Sequence, residues 1–336
     1  MQRAMVTRMR VLAALCVYAA LGASCSGGGS APQPPPPIQR PAFEAQRAFA
    51  DLQLQCDFGP RAPGTAAHTQ CAQFLLGRLQ ASGGRVVTQE FTSATGLSAT
   101  RHQFTNLLAI FSEGEPGKVL LLGAHWDSRA VADQDPDPAR RNQPILGAND
   151  GASGVAVLLE IMRAFAQHSP PRPVIIAFFD AEDQGSADST LPDSGWILGS
   201  RHLAEHWPTD LPWPAEMILL DLVGGDNEHN DRVGTPPGSD DVFRLPIERN
   251  SLEQAPDLVD RVWTVAERLG HAAFVRETGQ TIIDDHIPFL ETGVEAIDII
   301  EFVPPEWHTT DDTPEHCSAA SLRQVGETVL EFIYAG

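Results

Sequence analysis

Side chains that can bind metal or carry protons recur where the apolar segments of this chain end. His125 and Asp127 follow the segment KVLLLGA. Glu182 and Asp183 come just after VIIAFF, and Asp221 ends the segment EMILL. Carboxylate oxygen and imidazole nitrogen are the ligands that zinc and similar metals take in proteins. The pattern therefore predicts a metal site, with carboxyl groups to spare for proton transfer.

Two further candidate ligands lie in loops. Asp150 is in GANDGASG, at the start of a predicted helix, and His308 is in PPEWHTTDD. A catalytic zinc usually takes three protein ligands and keeps one position open. All these candidates together exceed the needs of one zinc ion, so some must bind a second metal, act as a base or orient the ligands.

Strands and helices alternate along the chain, and the strands are strongly apolar. Strands are predicted over 85–91, 104–111, 118–125, 173–180, 216–223 and 295–302, and helices over 65–80, 154–167, 255–269 and 321–334. The alternation predicts an α/β fold: a single globular domain whose central, twisted, mostly parallel (mixed) β-sheet carries helices on both faces. Functional sites of such sheets lie beyond the carboxyl ends of the strands. We therefore expect the candidate residues to converge at one edge of the sheet.

The composition is that of an acidic globular protein. The chain has 336 residues, with 23 Lys and Arg against 44 Asp and Glu, and a formal net charge of -21. A surface this acidic argues against a nucleic-acid partner, which requires a basic patch. The sequence shows no internal repeat, and the length beyond the N-terminal region is ample for a single hydrophobic core.

The first 25 residues have the pattern of an export signal. Three arginines in MQRAMVTRMR precede the apolar run VLAALCVYAAL, which is shorter than the roughly 20 residues of a membrane-spanning helix. The following GASC resembles a bacterial lipoprotein cleavage site, which would make Cys25 the lipidated N-terminus. We expect an exported protein, either periplasmic or a membrane-anchored lipoprotein. Plain secretion and a retained membrane anchor are the alternatives.

Domain boundaries follow from this N-terminal pattern. Residues 1–25 are the predicted signal peptide, and the glycine-, serine- and proline-rich residues 26–41 form a linker. Residues 42–336 form the catalytic domain. Cys56 and Cys71 are 15 residues apart, and an exported protein permits either a disulfide or two buried thiols.

Other polar residues near the motifs have simpler interpretations. His202 and His206 have the spacing of ligands on a helix but lack the accompanying glutamate, so we interpret them as surface residues. Asp180 is expected to bind backbone donors at a strand end. Asp311 and Asp312 are expected to brace the loop that carries His308.

Six motifs together resemble a known group of enzymes. GAHWDS, GANDGASGVAVLLE, FFDAEDQG, GSRHLAEH, LLDLVGGD and WHTTDD follow the order of motifs in zinc-dependent aminopeptidase-like proteins. Within that group FFDAED, GSRHLA, DDHIPFL and WHTTDD resemble the glutaminyl cyclases. The resemblance covers residues 45–334, and DDHIPFL together with WHTTDD is its most specific part.

The resemblance implies a role for each matching residue. Asp150, Asp183 and His308 match the zinc ligands. Glu182 matches the group that shuttles the proton, and Asp284 matches an aspartate beside it. One zinc ion per chain is expected, and a site with two zinc ions is the alternative.

The remaining matches concern the pocket and the supports of the site. Trp307 matches a tryptophan of the substrate pocket wall, and Trp196 is a second candidate wall. His125, Asp127 and Asp221 would either support the ligands or bind a second metal, as in the aminopeptidase relatives. Asp298 departs from the animal cyclases, which have a histidine there, and a buried aspartate at that position needs a partner.

The implied activity is that of an acyltransferase, a glutaminyl-peptide cyclotransferase. It would convert the N-terminal glutamine of peptides or proteins to pyroglutamate and release ammonia, and we expect a monomer. Two alternatives stay open: a dizinc aminopeptidase that releases N-terminal residues, and a binding protein without catalytic activity. The intact set of acids and histidines argues against the binding protein, and DDHIPFL with Trp307 argues against the aminopeptidase.

Overall fold

The structure is a computed structural model and describes residues 40–226 and 243–335. The predicted signal peptide, Cys25 and most of the predicted linker lie outside the described residues. Over the described ranges, no helix is both long and apolar enough to cross a membrane. The division of the chain into signal, linker and catalytic domain stays a prediction.

The described residues contain eight strands. They are β1 (Arg85–Ser93), β2 (His102–Phe111), β3 (Leu120–His125), β4 (Val174–Phe179), β5 (Glu216–Asp221), β6 (Leu245–Ile247), β7 (Phe274–Thr278) and β8 (Glu295–Ile300). Six of them form one sheet in the order β1-β2-β4-β3-β5-β8, and β6 pairs with β7 in a separate sheet. Strands β4, β3, β5 and β8 are parallel, whereas β2 is antiparallel to β1 and to β4. The central sheet is thus mixed and mostly parallel, which confirms the prediction.

Helices cover both faces of this sheet. They are α1 (Ala45–Asp57), α2 (Ala66–Ala81), α3 (Ala152–Gln167), α4 (Leu198–Glu205), α5 (Arg249–Gln254), α6 (Pro256–Leu269), α7 (Ile287–Leu290) and α8 (Ala319–Ala335). Every residue of β3, β4 and β5 is buried, as expected for strands that are covered on two sides.

The core consists of two hydrophobic clusters, one on each face of the sheet. Successive strand residues point to opposite faces. Leu120 and Leu122 of β3 therefore join the larger cluster, which includes residues of α1, α3 and α8. Leu121 joins the smaller cluster with Leu203 of α4 and Phe289 of α7. This packing fixes the strand ends that carry the candidate site.

The two cysteines that the sequence left open are unbridged. Cys56 in α1 and Cys71 in α2 are buried free thiols. Burial raises the pKa of each thiol to about 12. Neither is ionised at neutral pH, so both pack as small apolar side chains.

Candidate metal centre

The predicted ligands converge beyond the carboxyl ends of the parallel strands. His125 is the last residue of β3, and Asp221 is the last residue of β5. Asp183 follows the end of β4, and Asp150 lies two residues before α3. His308 comes from the long loop after β8. Parallel strands end at a common edge, which is why residues far apart in sequence meet here.

Asp150, Asp183 and His308 form one compact group. Their ligand atoms all lie within 4.8 Å of one another. His308 Nε2 is 3.1 Å from Asp183 Oδ1 and 3.7 Å from Asp150 Oδ2. Asp150 Oδ2 and Asp183 Oδ2 are buried and have no hydrogen-bond partner. Buried carboxylate oxygens without partners are costly, so this donor set fits a divalent metal ion such as zinc.

A second group shares Asp150 with the first. His125 Nε2 is 3.1 Å from Asp150 Oδ1 and 3.1 Å from Asp221 Oδ1. Burial alone would lower the pKa of His125, but the nearby carboxylates of Asp127, Asp150 and Asp221 outweigh burial and raise the pKa well above its usual range. This group has the geometry of a second metal site and, equally, of an ion-paired histidine that holds its acids in place.

Asp127 contacts the chain beyond β4. Its carboxylate accepts hydrogen bonds from the backbone N–H groups of Glu182 (3.0 Å) and Asp183 (3.3 Å) and from Gln184 Nε2 (2.9 Å). It also lies 3.5 Å from His125 Nδ1. Asp127 therefore links the turn after β4 to the histidine at the end of β3.

The turn after β4 separates three acids that follow one another closely. Asp180 accepts a hydrogen bond from the backbone N–H of Thr105 at 2.7 Å and lies 2.9 Å from His68 Nε2, so it faces away from the metal group, as expected. Ala181 then adopts a left-handed conformation with φ of 57°. Such a conformation is rare outside glycine, and here it turns the chain so that Glu182 and Asp183 reach different neighbours.

Glu182 lies among buried acids rather than among cations. Burial is the main cause that raises its pKa well above the usual range; His125 opposes this increase, and Asp284 and Asp183 add to it. Glu182 lines the same pocket as the Asp150, Asp183 and His308 group. A carboxyl group with a raised pKa beside metal ligands is suited to proton transfer.

Asp284 belongs to a cluster of buried acids that includes Asp285 and Asp298. Burial, together with Asp221 and Asp285, raises the pKa of Asp284 well above its usual range. Burial raises the pKa of Asp285 to about 7. Burial and Asp284 raise the pKa of Asp298 well above the usual range. Both Asp298 carboxylate oxygens are buried without a hydrogen-bond partner, so burial favours the protonated, neutral form of this acid.

Two tryptophans border the candidate site. The ring of Trp307 stacks on His308 with a centroid distance of 3.7 Å, and that of Trp196 stacks on it at 5.8 Å. Both line a pocket of about 420 Å³ that opens onto the ligand group. A Cβ atom at Gly185 would lie 2.1 Å from the Trp196 indole, so only glycine permits this close approach.

Asp312 was expected to brace the loop that carries His308. Its carboxylate accepts hydrogen bonds from the backbone N–H groups of Asn149 (2.7 Å) and Asp150 (3.1 Å), which ties this loop to the ligand loop before α3. Burial and the neighbouring Asp150 raise the pKa of Asp312 to about 7. Asp312 therefore fixes the ligand loop before α3, a contact between segments far apart in sequence.

Sequence reasoning missed Arg129 and Asp133. Asp133 Oδ1 lies 3.3 Å from His308 Nδ1, and Arg129 donates hydrogen bonds to both Asp133 and the Asp183 carbonyl oxygen. Their only signal in the sequence is proximity to the GAHWDS motif. By contrast, His202 of α4 and His206, the residue after this helix, stack on each other outside the ligand groups, in agreement with their interpretation as non-ligands.

Comparison with known proteins identifies the family. The model of peptidase family M28 matches residues 106–333. The chain belongs to this family. The resemblance to zinc-dependent aminopeptidase-like proteins that the motifs indicated is thereby confirmed.

Solved structures of family members share the fold at substantial identity. Glutaminyl cyclase from Bacteroides thetaiotaomicron, bound to N-acetylhistamine, has a TM-score of 0.80 and 36% identity, covering 89% of this chain and 100% of that chain. Glutaminyl cyclase from Tannerella forsythia has a TM-score of 0.79 and 36% identity, with coverage of 88% and 100%. A Zn-dependent exopeptidase from Parabacteroides distasonis has a TM-score of 0.80 and 35% identity, with coverage of 89% and 100%. These similarities confirm the fold and support zinc as the cofactor.

Curated relatives include both activities considered from the sequence. The glutaminyl-peptide cyclotransferase-like protein of Mus musculus is 25% identical over 307 residues, covering 81% of this chain and 71% of that protein. Aminopeptidase YwaD of Bacillus subtilis is 28% identical over 262 residues, covering 75% of this chain and 49% of that protein. The resemblance to glutaminyl cyclases is confirmed within a family that also contains aminopeptidases.

Zinc is expected to stabilise the folded protein through the Asp150, Asp183 and His308 group. A free zinc concentration about 100-fold above Kd adds about 2.7 kcal/mol to the free energy of unfolding when only the native state binds. His308→Ala removes one ligand and should lose most of this gain, whereas His202→Ala, outside both ligand groups, should retain it. The measurement is thermal melting of chelator-treated protein with and without zinc.

The affinity for zinc in this experiment should increase with pH. Burial alone would lower the pKa of His308, but Asp183 and Asp133 raise it to about 9 in the metal-free protein. Zinc must displace this proton, so zinc should bind more tightly at about pH 8 than at about pH 6. Equal stabilisation of His308→Ala and wild type by zinc would show that the metal binds elsewhere.

Proposed function

We propose that this protein is a zinc-dependent glutaminyl-peptide cyclotransferase. Its substrates are peptides or proteins with an N-terminal glutamine, and its products are the pyroglutamyl peptide and ammonia. The observation that carries the proposal is the buried Glu182, whose raised pKa and buried acidic neighbours adjoin the ligand group in one pocket. The identity of 36% to a bacterial glutaminyl cyclase, over 89% of this chain, supports it.

The reaction needs one proton to be taken and returned. The substrate α-amine attacks the side-chain carbonyl carbon of its own glutamine, and the bond from that carbon to the amide nitrogen breaks. Zinc bound by Asp150, Asp183 and His308 would act as a Lewis acid on that carbonyl. Glu182 accepts the proton from the amine and donates it to the departing nitrogen, which leaves as ammonia. Glu182 ends the cycle in its starting protonation state.

The acids behind Glu182 support this role. A group that both accepts and donates a proton works best when its pKa lies near the working pH. Burial and Asp284 act in that direction on Glu182. Burial and neighbouring acids also raise the pKa values of Asp284 and Asp298, which favours their protonated forms and limits the negative charge that accumulates near the site.

The pocket favours cyclisation over attack by water. It has a volume of about 420 Å³, and its walls include Trp196, Trp307, Ile282 and Phe302. A pocket of this size holds the amine and the amide of one glutamine residue close together, which replaces a bimolecular encounter by an intramolecular one. Apolar walls also reduce the access of water to the reacting carbonyl.

One zinc ion per chain is part of the proposal. His125 Nε2 contacts Asp150 and Asp221 directly, each at 3.1 Å. A protonated His125 compensates the charge of these two acids without a second metal ion. In this proposal His125 is therefore an ion-pair partner that holds Asp150 in place. A measured content near two zinc ions per chain would contradict this part.

A dizinc aminopeptidase is the second candidate. It is favoured by one specific observation: His125, Asp150 and Asp221 have ligand atoms within 4.8 Å of one another and share Asp150 with the first group. In that function Glu182 would activate a water molecule, and a peptide bond would be cleaved. The two candidates predict different products from the same peptide.

Mass spectrometry of a peptide that begins with glutamine separates these functions. We expect the zinc-loaded protein to convert the peptide to a product that has lost ammonia and kept every residue. The same peptide with N-terminal alanine should remain unchanged. Release of the first residue from either peptide would establish the aminopeptidase, and an unchanged glutamine peptide would contradict both enzymatic functions.

Glu182→Gln should remove turnover without removing zinc. The amide has nearly the shape of the carboxyl group but cannot accept the proton, so we expect kcat to fall by about 10²–10⁴-fold. Zinc content and melting temperature should stay close to those of the wild type. Glu115→Gln, an exposed glutamate, is the matched control. Turnover by Glu182→Gln at the wild-type rate would assign the proton transfer to another group.

Export and lipid attachment through Cys25 also belong to the proposal, as does a monomeric state. The basic, apolar and small-residue segments that precede Cys25 support them. Expressed in a bacterial host, the wild type should reach the membrane fraction as a lipoprotein. Cys25→Ser should not carry lipid, and size-exclusion chromatography should give one chain per particle. An unmodified wild type in the culture medium would favour plain secretion.

A further inference from the structure

Arg129 and Asp133 lie in the loop that follows β3, four residues apart. The Arg129 side chain is 2% exposed, whereas that of Asp133 is 39% exposed. Arg129 donates two hydrogen bonds to Asp133, from Nε at 2.9 Å and from Nη2 at 2.8 Å. The two side chains therefore form a bidentate pair with its cationic member buried.

Asp133 reaches the side of His308 that faces away from the other ligands. Its Oδ1 atom is 3.3 Å from His308 Nδ1, while His308 Nε2 lies 3.1 Å from Asp183 Oδ1. A proton on Nδ1 directed at Asp133 leaves the Nε2 lone pair free for a metal ion. Carboxylates in this position set the tautomer and the ring orientation of histidine ligands.

Arg129 contacts the second ligand directly. Its Nη1 group donates a hydrogen bond to the Asp183 carbonyl oxygen at 3.0 Å and lies 3.4 Å from Asp183 Oδ1. Its Nη2 group also donates to the Gly185 carbonyl oxygen at 3.2 Å. One guanidinium group thus holds the backbone that carries Asp183 and, through Asp133, the ring of His308.

The same guanidinium group contacts the pocket wall. Its central carbon lies 4.5 Å from the ring centre of Trp196, an arrangement typical of a cation–π contact. The Trp196 ring in turn stacks on His308 with an angle of 14° between the planes. Arg129, Asp133, His308 and Trp196 therefore form a closed ring of contacts, in which each side chain touches the next and Trp196 touches Arg129.

We propose that Arg129 and Asp133 are a positioning pair that holds Asp183 and His308 ready to bind zinc and ties their orientation to Trp196. The proposal rests on zinc binding by the ligand group, and it holds for either enzymatic activity. An exposed ion pair without this role would contribute little to any measured property. The burial of Arg129 and its contacts to both ligands distinguish this pair from such surface pairs.

The test measures zinc affinity without substrate. In Asp133→Asn the side chain no longer provides a charged acceptor for His308 Nδ1, and zinc affinity should fall by about 10–100-fold. Competition with a chromophoric chelator gives the dissociation constant. Asp137→Asn, an exposed aspartate of the same loop, is the matched control and should bind zinc like the wild type. Asp133→Glu, which keeps the charge, should recover part of the affinity.

The melting temperature of the metal-free variants separates positioning from a purely structural role. Metal-free Asp133→Asn should fold but melt below the wild type, because it leaves the buried Arg129 guanidinium without its bidentate carboxylate. Arg129→Lys keeps the charge but not the planar fork, and it provides a second test if Asp133→Asn does not fold. It should also bind zinc more weakly. Wild-type zinc affinity in the folded variants, or a loss of stability without a loss of affinity, would overturn the proposal.

Because no peptide enters this experiment, its outcome is independent of the cyclase proposal. Weakened zinc binding in a protein that failed to cyclise glutamine would support the positioning pair and contradict the cyclase. Unchanged zinc binding by the variants of an active cyclase would contradict the positioning pair and support the cyclase.

Discussion

The concentration of buried negative charge at the carboxyl edge of the sheet is the constraint on which the site depends. The buried acids there are Asp127, Asp150, Glu182, Asp183, Asp221, Asp284, Asp285, Asp298 and Asp312. The buried groups near them that can carry positive charge include His125, His308, Arg61 and Arg129. Buried charges persist only when they are paired, hydrogen-bonded or neutralised by a proton. Each acid of this site is therefore paired, hydrogen-bonded or protonated, and its neighbours in the structure determine which.

The acids divide according to how they are compensated. Asp127 and Asp312 accept hydrogen bonds from backbone N–H groups, so they fix the loops that carry the candidate ligands. Burial and neighbouring acids raise the pKa values of Asp284 and Asp298, which favours their neutral, protonated forms. Asp150 and Asp183 each keep one carboxylate oxygen without a hydrogen-bond partner, which a divalent cation would satisfy. Burial, and then the neighbouring acids Asp284 and Asp183, raise the pKa of Glu182, so the buried acidic environment that favours a metal also prepares a group for proton transfer.

Sequence reasoning predicted the sheet because β3, β4 and β5 are apolar on both faces, and it predicted the ligands because they follow those strands. It did not predict α1, although Ala48, Leu52 and Cys56 have helical spacing and are buried, or the short pair β6 and β7, whose register is irregular. Arg129 and Asp133 were missed because their roles depend on contacts with loops after β4 and β8. The partners of Asp312, the N–H groups of Asn149 and Asp150, were not predicted for the same reason. Local patterns identify elements, whereas contacts between loops arise only when the strands are assembled.

The order of Glu182 and Asp183 follows from the turn that carries them. The left-handed Ala181 and the carboxylate of Asp127, which accepts both of their N–H groups, direct the two side chains to different neighbours. Asp183 is held close to the ligand group by Arg129, so a short side chain reaches the metal position. Glu182 has one more methylene and can move a proton between two atoms of the substrate while its backbone stays fixed. Exchanging the two residues would place the flexible chain on the metal and the short one on the proton, against the geometry of the turn.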